Sequence, residues 1–505
     1  MASVVSPFRG VHGGVPKGVP GGVVWGVLAG SNDPLPSGAR SALYAILLGA
    51  FVLRLGLALA SPTIHQADEI YQVAEQANRA VHGYGIQSWE FLAKARSALY
   101  PALVVPMFWL DVGPAITQTL TAAFFTAFSL IPVAVAFLWV VRPYGVRGGI
   151  VAAFMMATWF ELVYFAPKPT GDAVSSYFFL AALYLARPSA RNASVALAGF
   201  SLFLTVALRM QIAPAVAIAG LLALLVNWRQ RFGPLFAGVV VAMLLTGFIE
   251  WLWWGVPFLG HYNYLRLEFA RDVSSQFGRQ PLTFYGKNYV LFYGAALPVV
   301  ALLAWSAAKK APVLLIAALA LALPFHFIPH KEYRFLVVAV PVLVMMMGVA
   351  AADLVARVPS LGAPRALFTG AAAWVVAMTA ISLGDSYRPY WVLDRNHIRA
   401  FREIGARPDA CGVALVGIRW FHTPGYSGLG RNIPIYEIGR EALPANIVAA
   451  ANYVLVGHKA PQPEAPYVRL HTYQRPEEHI YVRPGTCVPD PAAQITAPDT
   501  VPGGQ

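Results

Sequence analysis

From residue 41 to residue 384 the chain alternates long apolar runs with short polar breaks. The runs are roughly 16–25 residues long, the length a helix needs to cross the hydrocarbon of a bilayer. They predict about eleven helices, near residues 41–60, 114–141, 148–166, 173–187, 193–208, 212–227, 234–254, 290–308, 312–328, 335–352 and 367–384. The fourth, fifth and sixth are short and suit tilted or merged spans. Ahead of them, residues 1–40 are rich in Gly and Pro and are expected to form a disordered cytoplasmic tail. The apolar stretch at 21–30 is too short and too broken by glycine to span. After Gly384 brief alternating stretches, Gly412–Gly417, Tyr453–Gly457 and His479–Val482, lie among Pro, Gly and polar residues. Short strands and turns have this pattern, so a small α/β domain is expected over 385–487, capping the outer face of the bundle, with a flexible tail at 488–505. The expected architecture is an all-α polytopic membrane domain, 41–384, with a small extracytoplasmic α/β domain after it.

Composition agrees: 57% of residues are hydrophobic and 12% charged, against about 25% charged in soluble domains. The net charge of +13 raises the question of nucleic acid, but no basic block, zinc spacing or recognition module is present. The basic residues sort by side instead. Alternate loops hold Arg142 and Arg147, Arg187 and Arg191, Arg229 and Arg231, Lys309 and Lys310, and Arg357 and Arg365. The positive-inside rule places these in the cytoplasm with the N-terminus. Segments 61–113, 167–172, 255–289, 329–334 and 385–505 mix both signs and fall outside. Cys411 and Cys487 lie in the last of these, where they can pair as a disulfide or remain two thiols; their spacing fits no zinc or redox motif.

The candidate chemistry gathers in the outer segments. His65, Asp68, Glu69, Gln72, Glu75 and Arg79 follow the first apolar run. Asp68, Gln72, Glu75 and Arg79 recur at helical spacing, which predicts one polar stripe on a helix lying in the interface. A solvated face would explain the stripe, yet an acidic pair at the mouth of an apolar bundle is costly without a task. It suits a general base for a hydroxyl. Further on, Trp89 and Glu90 follow a Gly-Tyr-Gly turn at 83–85. They form either a sugar platform or an interfacial aromatic cluster. Between the ninth and tenth helices stands His330-Lys331-Glu332-Tyr333-Arg334-Phe335. A snorkelling anchor needs neither His nor Glu, whereas a lipid-borne phosphate needs cations to neutralise it as it leaves. Arg209, Lys168 and Asp172 are placed to join this cluster.

These segments resemble glycosyltransferase family 22, the dolichyl-phosphate-mannose-dependent mannosyltransferases of GPI anchors and N-glycan precursors. The likeness rests on His65–Glu69, Gly83–Gly85, SWEF at 88–91, Arg96-Ser97, Tyr100-Pro101 and HKEYRF at 330–335. Lys168–Asp172, Arg209–Pro214 and the loop at 255–289 match more loosely, and His422–Ser427 resembles a stretch found after the bundle in members that build GPI anchors. The resemblance implies a GT-C fold, a polyprenyl-phosphate mannose donor, a glycolipid or lipid-linked glycan acceptor, inversion at the anomeric carbon, and no cofactor or metal. It would make Asp68 the catalytic base with Glu69 as partner. His330, Lys331, Arg334 and Arg209 would contact the donor phosphate. His65, Gln72, Trp89, Glu90, Lys168, Asp172 and Glu332 would bind substrate. His65-Gln66-Ala67-Asp68 lacks the family's proline, and SWEF replaces TWEW, differences that bear on the acceptor. The short loops and divergent tail suit a bacterial member, with catalytic loops in the periplasm; a eukaryotic one would place them in the ER lumen. A transferase of another lipid-linked sugar is the alternative. A transporter would carry charges near mid-membrane, where Arg54 is the main exception to an apolar rule.

Overall fold

The computed structural model describes residues 22–30 and 34–497. Among the described residues, six apolar helical stretches are long enough to cross a membrane: Ala39–Ala60, Pro114–Thr158, Trp228–Trp254, Phe284–Ala308, Tyr333–Arg357 and Pro364–Leu383. Pro114–Thr158 is not one rod. Gly145, at φ 70°, interrupts its helical backbone, a conformation open to glycine at no steric cost. The chain doubles back there, since a Cβ on Gly149 would stand 3.1 Å from the Val141 Cβ. Two antiparallel helices result, as the sequence pattern predicts. Five shorter apolar helices, Leu99–Trp109, Gly171–Leu185, Asn192–Leu208, Met210–Leu224 and Pro312–Phe327, accompany them among the described residues.

Burial ranks the helices. Tyr333–Arg357 is 89% buried and forms the axis, whereas Ala39–Ala60 and Pro364–Leu383, at 17% and 11%, turn their apolar faces outward to where lipid would lie. Arg54, on Ala39–Ala60, is nevertheless fully buried. Its guanidinium donates to the Ser129, Met156 and Ala157 carbonyls at 2.6, 2.7 and 3.2 Å, satisfying groups left open where neighbouring helices break or end. This cation is a structural pin.

The two ends of the bundle differ. At one end Arg231 donates to the Ala186 and Arg187 carbonyls, and Lys310 pairs with Asp353 at 3.4 Å. Residues 22–29, expected in a disordered tail, are ordered and packed here. Trp25 and Leu28 are buried, Val27 N–H donates to Lys310 O at 2.9 Å, and Trp139 Nε1 donates to Leu28 O at 2.8 Å. A stretch too short to span still has enough apolar surface to fill a gap between helix ends. The rest of that expected tail, apart from residues 30 and 34–40, lies outside the described residues.

The other end carries the mixed-charge loops and the C-terminal domain. That domain is built on strands β1 (Val413–Val416), β2 (Ile435–Ile438), β3 (Tyr453–Val456), β4 (Val468–Tyr473) and β5 (Glu478–Val482), in the order β2-β1-β3-β5-β4. β1 is parallel to β2 and β3, and β5 is antiparallel to β3 and β4. Cys411 and Cys487 form a disulfide across it. Residues 488–497, expected as part of a flexible tail, dock on the domain: Ile495 N–H donates to Ile435 O, and Thr496 O accepts from Gln87 N–H in the first outer loop.

Candidate active site

The acidic half of the site comes from the first outer loop. Glu69 Oε1 accepts from the backbone N–H of His65 at 2.9 Å and of Gln66 at 3.2 Å, a capping box that starts a helix at Ala67. Adjacent helical positions point about 100° apart, so Asp68 and Glu69 face different sides. Ile70–Ala74 then forms a π-turn, which holds one residue more than an α-turn. The single stripe expected from the sequence is thereby split. Asp68 and Gln72 line one cavity, while Glu75 turns to the C-terminal domain and accepts from Ile86 N–H at 2.7 Å and Ser427 N–H at 2.5 Å. Burial pushes the Glu75 carboxyl up to about 7. Arg79 leaves the stripe as well, donating to Gly85 O at 2.7 Å.

The basic half comes from the loop entering Tyr333–Arg357. Arg334 donates to Asp68 Oδ2 at 2.7 Å and Glu332 Oε2 at 2.8 Å, and lies 3.8 Å from Asp172. Arg209 completes the network, 2.9 Å from the other Asp172 oxygen. His330 Nε2 meets Glu332 at 2.9 Å, and Gln66 Nε2 donates to Glu332 at 2.7 Å. Burial alone would raise the Glu332 carboxyl, but Arg334 and His330 outweigh it and hold it far below the usual range. Gln72 Nε2 donates to Glu90 at 2.6 Å; burial first, and Asp68 second, push the Glu90 carboxyl up to about 7.

Around this network lies a cavity of about 610 Å³, lined by Asp68, Gln72, Arg96, Tyr100, Arg209, Gln211, His261, Tyr264 and Arg334. Three arginines face one carboxylate across it. A second cavity, of about 1130 Å³, lies beyond the Asp68 helix; Glu69 and Lys168 line it, and Val73 borders both. Lys168 stands 3.4 Å from Glu69. Burial raises the Glu69 carboxyl and lowers the Lys168 amine, each partly offset by the other. The His65 ring packs against Phe165 and Tyr390 behind this pair, and burial, then Lys168 and Arg334, drive its pKa well down.

The residues singled out from sequence thus fall into distinct places. Asp68, Gln72, Arg209 and Arg334 line the smaller cavity, and Glu332, His330, Asp172 and Glu90 hold them. Glu69 and Lys168 line the larger one. Lys331 reaches neither, because its ammonium donates to the Ile328 and Gln280 carbonyls at 2.6 and 3.1 Å and fastens its own loop. The Trp89 ring packs against Phe277, 5.9 Å between centroids, and lines neither cavity. Sequence reasoning did not single out Gln211, His261 or Tyr264. His261 is set by Glu250, fully buried and 2.8 Å away. A carboxylate inside an expected span, 234–254, was the readable signal. A carboxylate base and a cationic cradle in one cavity can activate a hydroxyl and receive a departing phosphate.

Comparison with known proteins agrees with this geometry. The model of the Alg9-like mannosyltransferase family matches residues 45–429. A GPI mannosyltransferase 3 of Yarrowia lipolytica is 24% identical over 416 residues, 78% of this chain and 76% of its own. The Candida albicans GPI mannosyltransferase 3 is 39% identical over 62 residues, 12% of this chain and 13% of its own. Among solved structures, ArnT from Cupriavidus metallidurans bound to undecaprenyl phosphate superposes with TM-score 0.56 at 12% identity, covering 90% of this chain and all of that one (100%). Its apo form gives 0.55, covering 88% and 98%. The likeness shows a shared GT-C fold.

Proposed function

The chain belongs to the Alg9-like mannosyltransferase family, and on that premise we propose that it is an inverting enzyme transferring mannose from a polyprenyl phosphate to a hydroxyl of a glycolipid or lipid-linked glycan. Asp68 takes the proton of the acceptor hydroxyl. The oxygen attacks the anomeric carbon from the face opposite the phosphate, the bond from that carbon to the phosphate oxygen breaks, and the polyprenyl phosphate leaves toward Arg209 and Arg334. One observation carries the reading: the 2.7 Å contact of Arg334 with Asp68 joins the two motifs that the sequence separates by 266 residues. Base and phosphate cradle then sit within one sugar's reach. Arg334 is held by carboxylates until an incoming phosphate competes for it, so the donor itself frees Asp68 to act as base. Glu69, already bonded to two backbone N–H groups and Lys168, is a positioning residue.

A lipid-phosphate donor suits a cavity at the end of an apolar bundle, and the fold is one that ArnT uses in its complex with undecaprenyl phosphate. The basic loops at the opposite end favour a cytoplasmic location there. The disulfide favours an oxidising compartment for the site's end. Both support a periplasmic or luminal active site. The test is incubation of the purified chain in proteoliposomes with labelled mannosyl phosphoryl polyprenol and extracted lipids. Label in a new glycolipid is expected. Transfer from a soluble sugar nucleotide alone would overturn the donor assignment.

A further inference from the structure

Arg209 is held on its side-chain face by Asp172 at 2.9 Å and by the Phe335 ring, whose centre lies 4.7 Å from the guanidinium carbon. Its backbone needs a separate support. Arg209 is a single extended residue, φ −149° and ψ 93°, between helix Asn192–Leu208 and the short turn Met210–Ile212. A residue outside both elements takes its direction from whatever fixes its neighbours. One helix of the outer loop, Leu259–Arg271, grips the chain on both sides of it. His261 Nε2 lies 3.2 Å from the Ala207 carbonyl. A carbonyl can only accept, so the ring nitrogen donates, and it satisfies a group that the last helical turn leaves open. One turn along the same helix, the Tyr264 hydroxyl accepts from the Gln211 amide. Positions i and i+3 share a helix face, so a single face brackets Arg209 from Ala207 to Gln211.

That helix is anchored in turn by a residue that no step of the reaction uses. Glu250 lies inside Trp228–Trp254 with none of its side chain exposed. Gly255 and Phe258, at φ 76° and 58°, turn the chain back after it. The Glu250 carboxylate receives the start of the returning helix: Gly260 N–H donates to Oε2 at 3.1 Å, and His261 Nδ1 lies 2.8 Å from Oε1. An anion there satisfies an open N–H and faces the positive end of the helix dipole. A carboxylate within an apolar span is costly without a task. The start of the helix is also seated on the first outer loop. A Cβ on Gly260 would collide with the Arg96 carbonyl, and Asn263 Nδ2 donates to Lys94 O at 3.0 Å. Gly260, His261, Tyr264 and Gln211 line the same cavity as Arg209.

We infer that Glu250 is a positioning residue: through Gly260 and His261 it fixes Leu259–Arg271 as a splint that keeps Arg209 aimed at the leaving phosphate. The inference rests on the transferase reading and adds to it a group that touches no substrate. Contacts run without a break from Glu250 to His261, from His261 to Ala207, and along the backbone to Arg209. Loss of the Glu250 charge loosens the helix start and frees the Ala207 carbonyl. Arg209 then settles on Asp172 alone and meets an incoming phosphate less well.

The test is a double-mutant cycle on binding, read with the full chain in lipid nanodiscs. Equilibrium retention of labelled polyprenyl monophosphate is compared for the wild type, Glu250→Gln, Arg209→Gln and the double variant. Polyprenol, which lacks the phosphate, is the control ligand. Arg209→Gln should weaken monophosphate binding about tenfold, the size of one charge-assisted contact. Glu250→Gln keeps the shape and removes the charge, and should weaken it about fivefold. The double variant should bind no worse than Arg209→Gln, because a residue that acts through another adds nothing once that one is gone. Polyprenol should bind all four proteins alike. Tyr264→Phe removes only the second grip and should cost about threefold, a loss that also disappears beside Arg209→Gln; this cycle carries the test if Glu250→Gln does not fold. Losses that multiply in the double variants would overturn the inference and leave the transferase reading standing. So would a Glu250→Gln protein that loses polyprenol as readily as the monophosphate, the mark of a packing role. Unchanged monophosphate binding in Arg209→Gln would overturn the donor assignment itself.

Discussion

Replacing Arg334 with Met probes the network where it is most concentrated. Arg334 has 6% of its side chain exposed and serves Asp68, Glu332 and Asp172 together. In Arg334→Met, Arg209 still holds Asp172 at 2.9 Å and His330 still holds Glu332 at 2.9 Å, but Asp68 loses its cation. Breaking a buried ion pair by removing one partner costs about 3–5 kcal/mol. Asp68 and Glu332 retain 26% and 24% exposure and can partly rehydrate, so about 2–3 kcal/mol is expected here. The cost must depend on pH. Arg334 holds the Glu332 carboxyl below its ordinary range. The stability this supplies is present above the ordinary carboxylate pKa and is lost as pH falls through the depressed one. The variant lacks it. The difference in apparent unfolding temperature between the two proteins should therefore be full at about pH 7, start to narrow near about pH 4, and keep shrinking as the pH is taken lower. Transfer should fall about 100- to 1000-fold, the loss typical of one stabilising donor at a developing anion. Arg334→Lys should recover part of the stability and little of the activity, because one ammonium cannot reproduce the planar fork. A stability gap that stays constant over that pH range, or a Met variant with normal turnover, would refute the reasoning.

Asp68→Asn should lower transfer about 1000-fold or more while equilibrium retention of a labelled polyprenyl phosphate stays near normal; active Asn enzyme would remove the base assignment. Glu75, raised to about 7 by burial, contributes docking stability that is full below the ordinary carboxylate range and lost as pH rises through about 7. Limited proteolysis between the first outer loop and the C-terminal domain should speed up over that rise in the wild type and stay flat in Glu75→Gln; identical slopes would count against it. Replacing Cys411 and Cys487 with Ser should destabilise the C-terminal domain by about 2–4 kcal/mol, read as a lower unfolding midpoint, with transfer retained at low temperature.

The bundle was legible because the bilayer imposes a length and a composition on each span, and the doubling back at Gly145 falls inside the gap, 142–147, left between two expected helices, 114–141 and 148–166. The acidic pair and the HKEYRF loop were legible because charges beside apolar runs are costly. The assignment of neighbours was not. A regular helix puts Asp68, Gln72, Glu75 and Arg79 on one face, and a π-turn over Ile70–Ala74 sends Glu75 to another domain; nothing in the residue spacing announces an extra residue in a turn. Lys331 reads as a phosphate ligand by charge alone, and only the positions of the Ile328 and Gln280 carbonyls show what it holds. The Glu250–His261 pair joins segments that are adjacent only after Trp228–Trp254 turns into its outer loop. Residues 22–29 were read as tail because span length was the criterion, whereas their packing depends on a gap formed by Trp139 and the Lys310 turn.

The account depends on a lipid-borne phosphate meeting Arg209 and Arg334 beside Asp68. An experimental density map of the chain with bound polyprenyl monophosphate tests this most directly. The phosphate is expected in the smaller cavity, contacting both arginines, with Arg334 drawn away from Asp68. Phosphate density in the larger cavity, or at the opposite end among Arg187, Arg231 and Lys310, would contradict it.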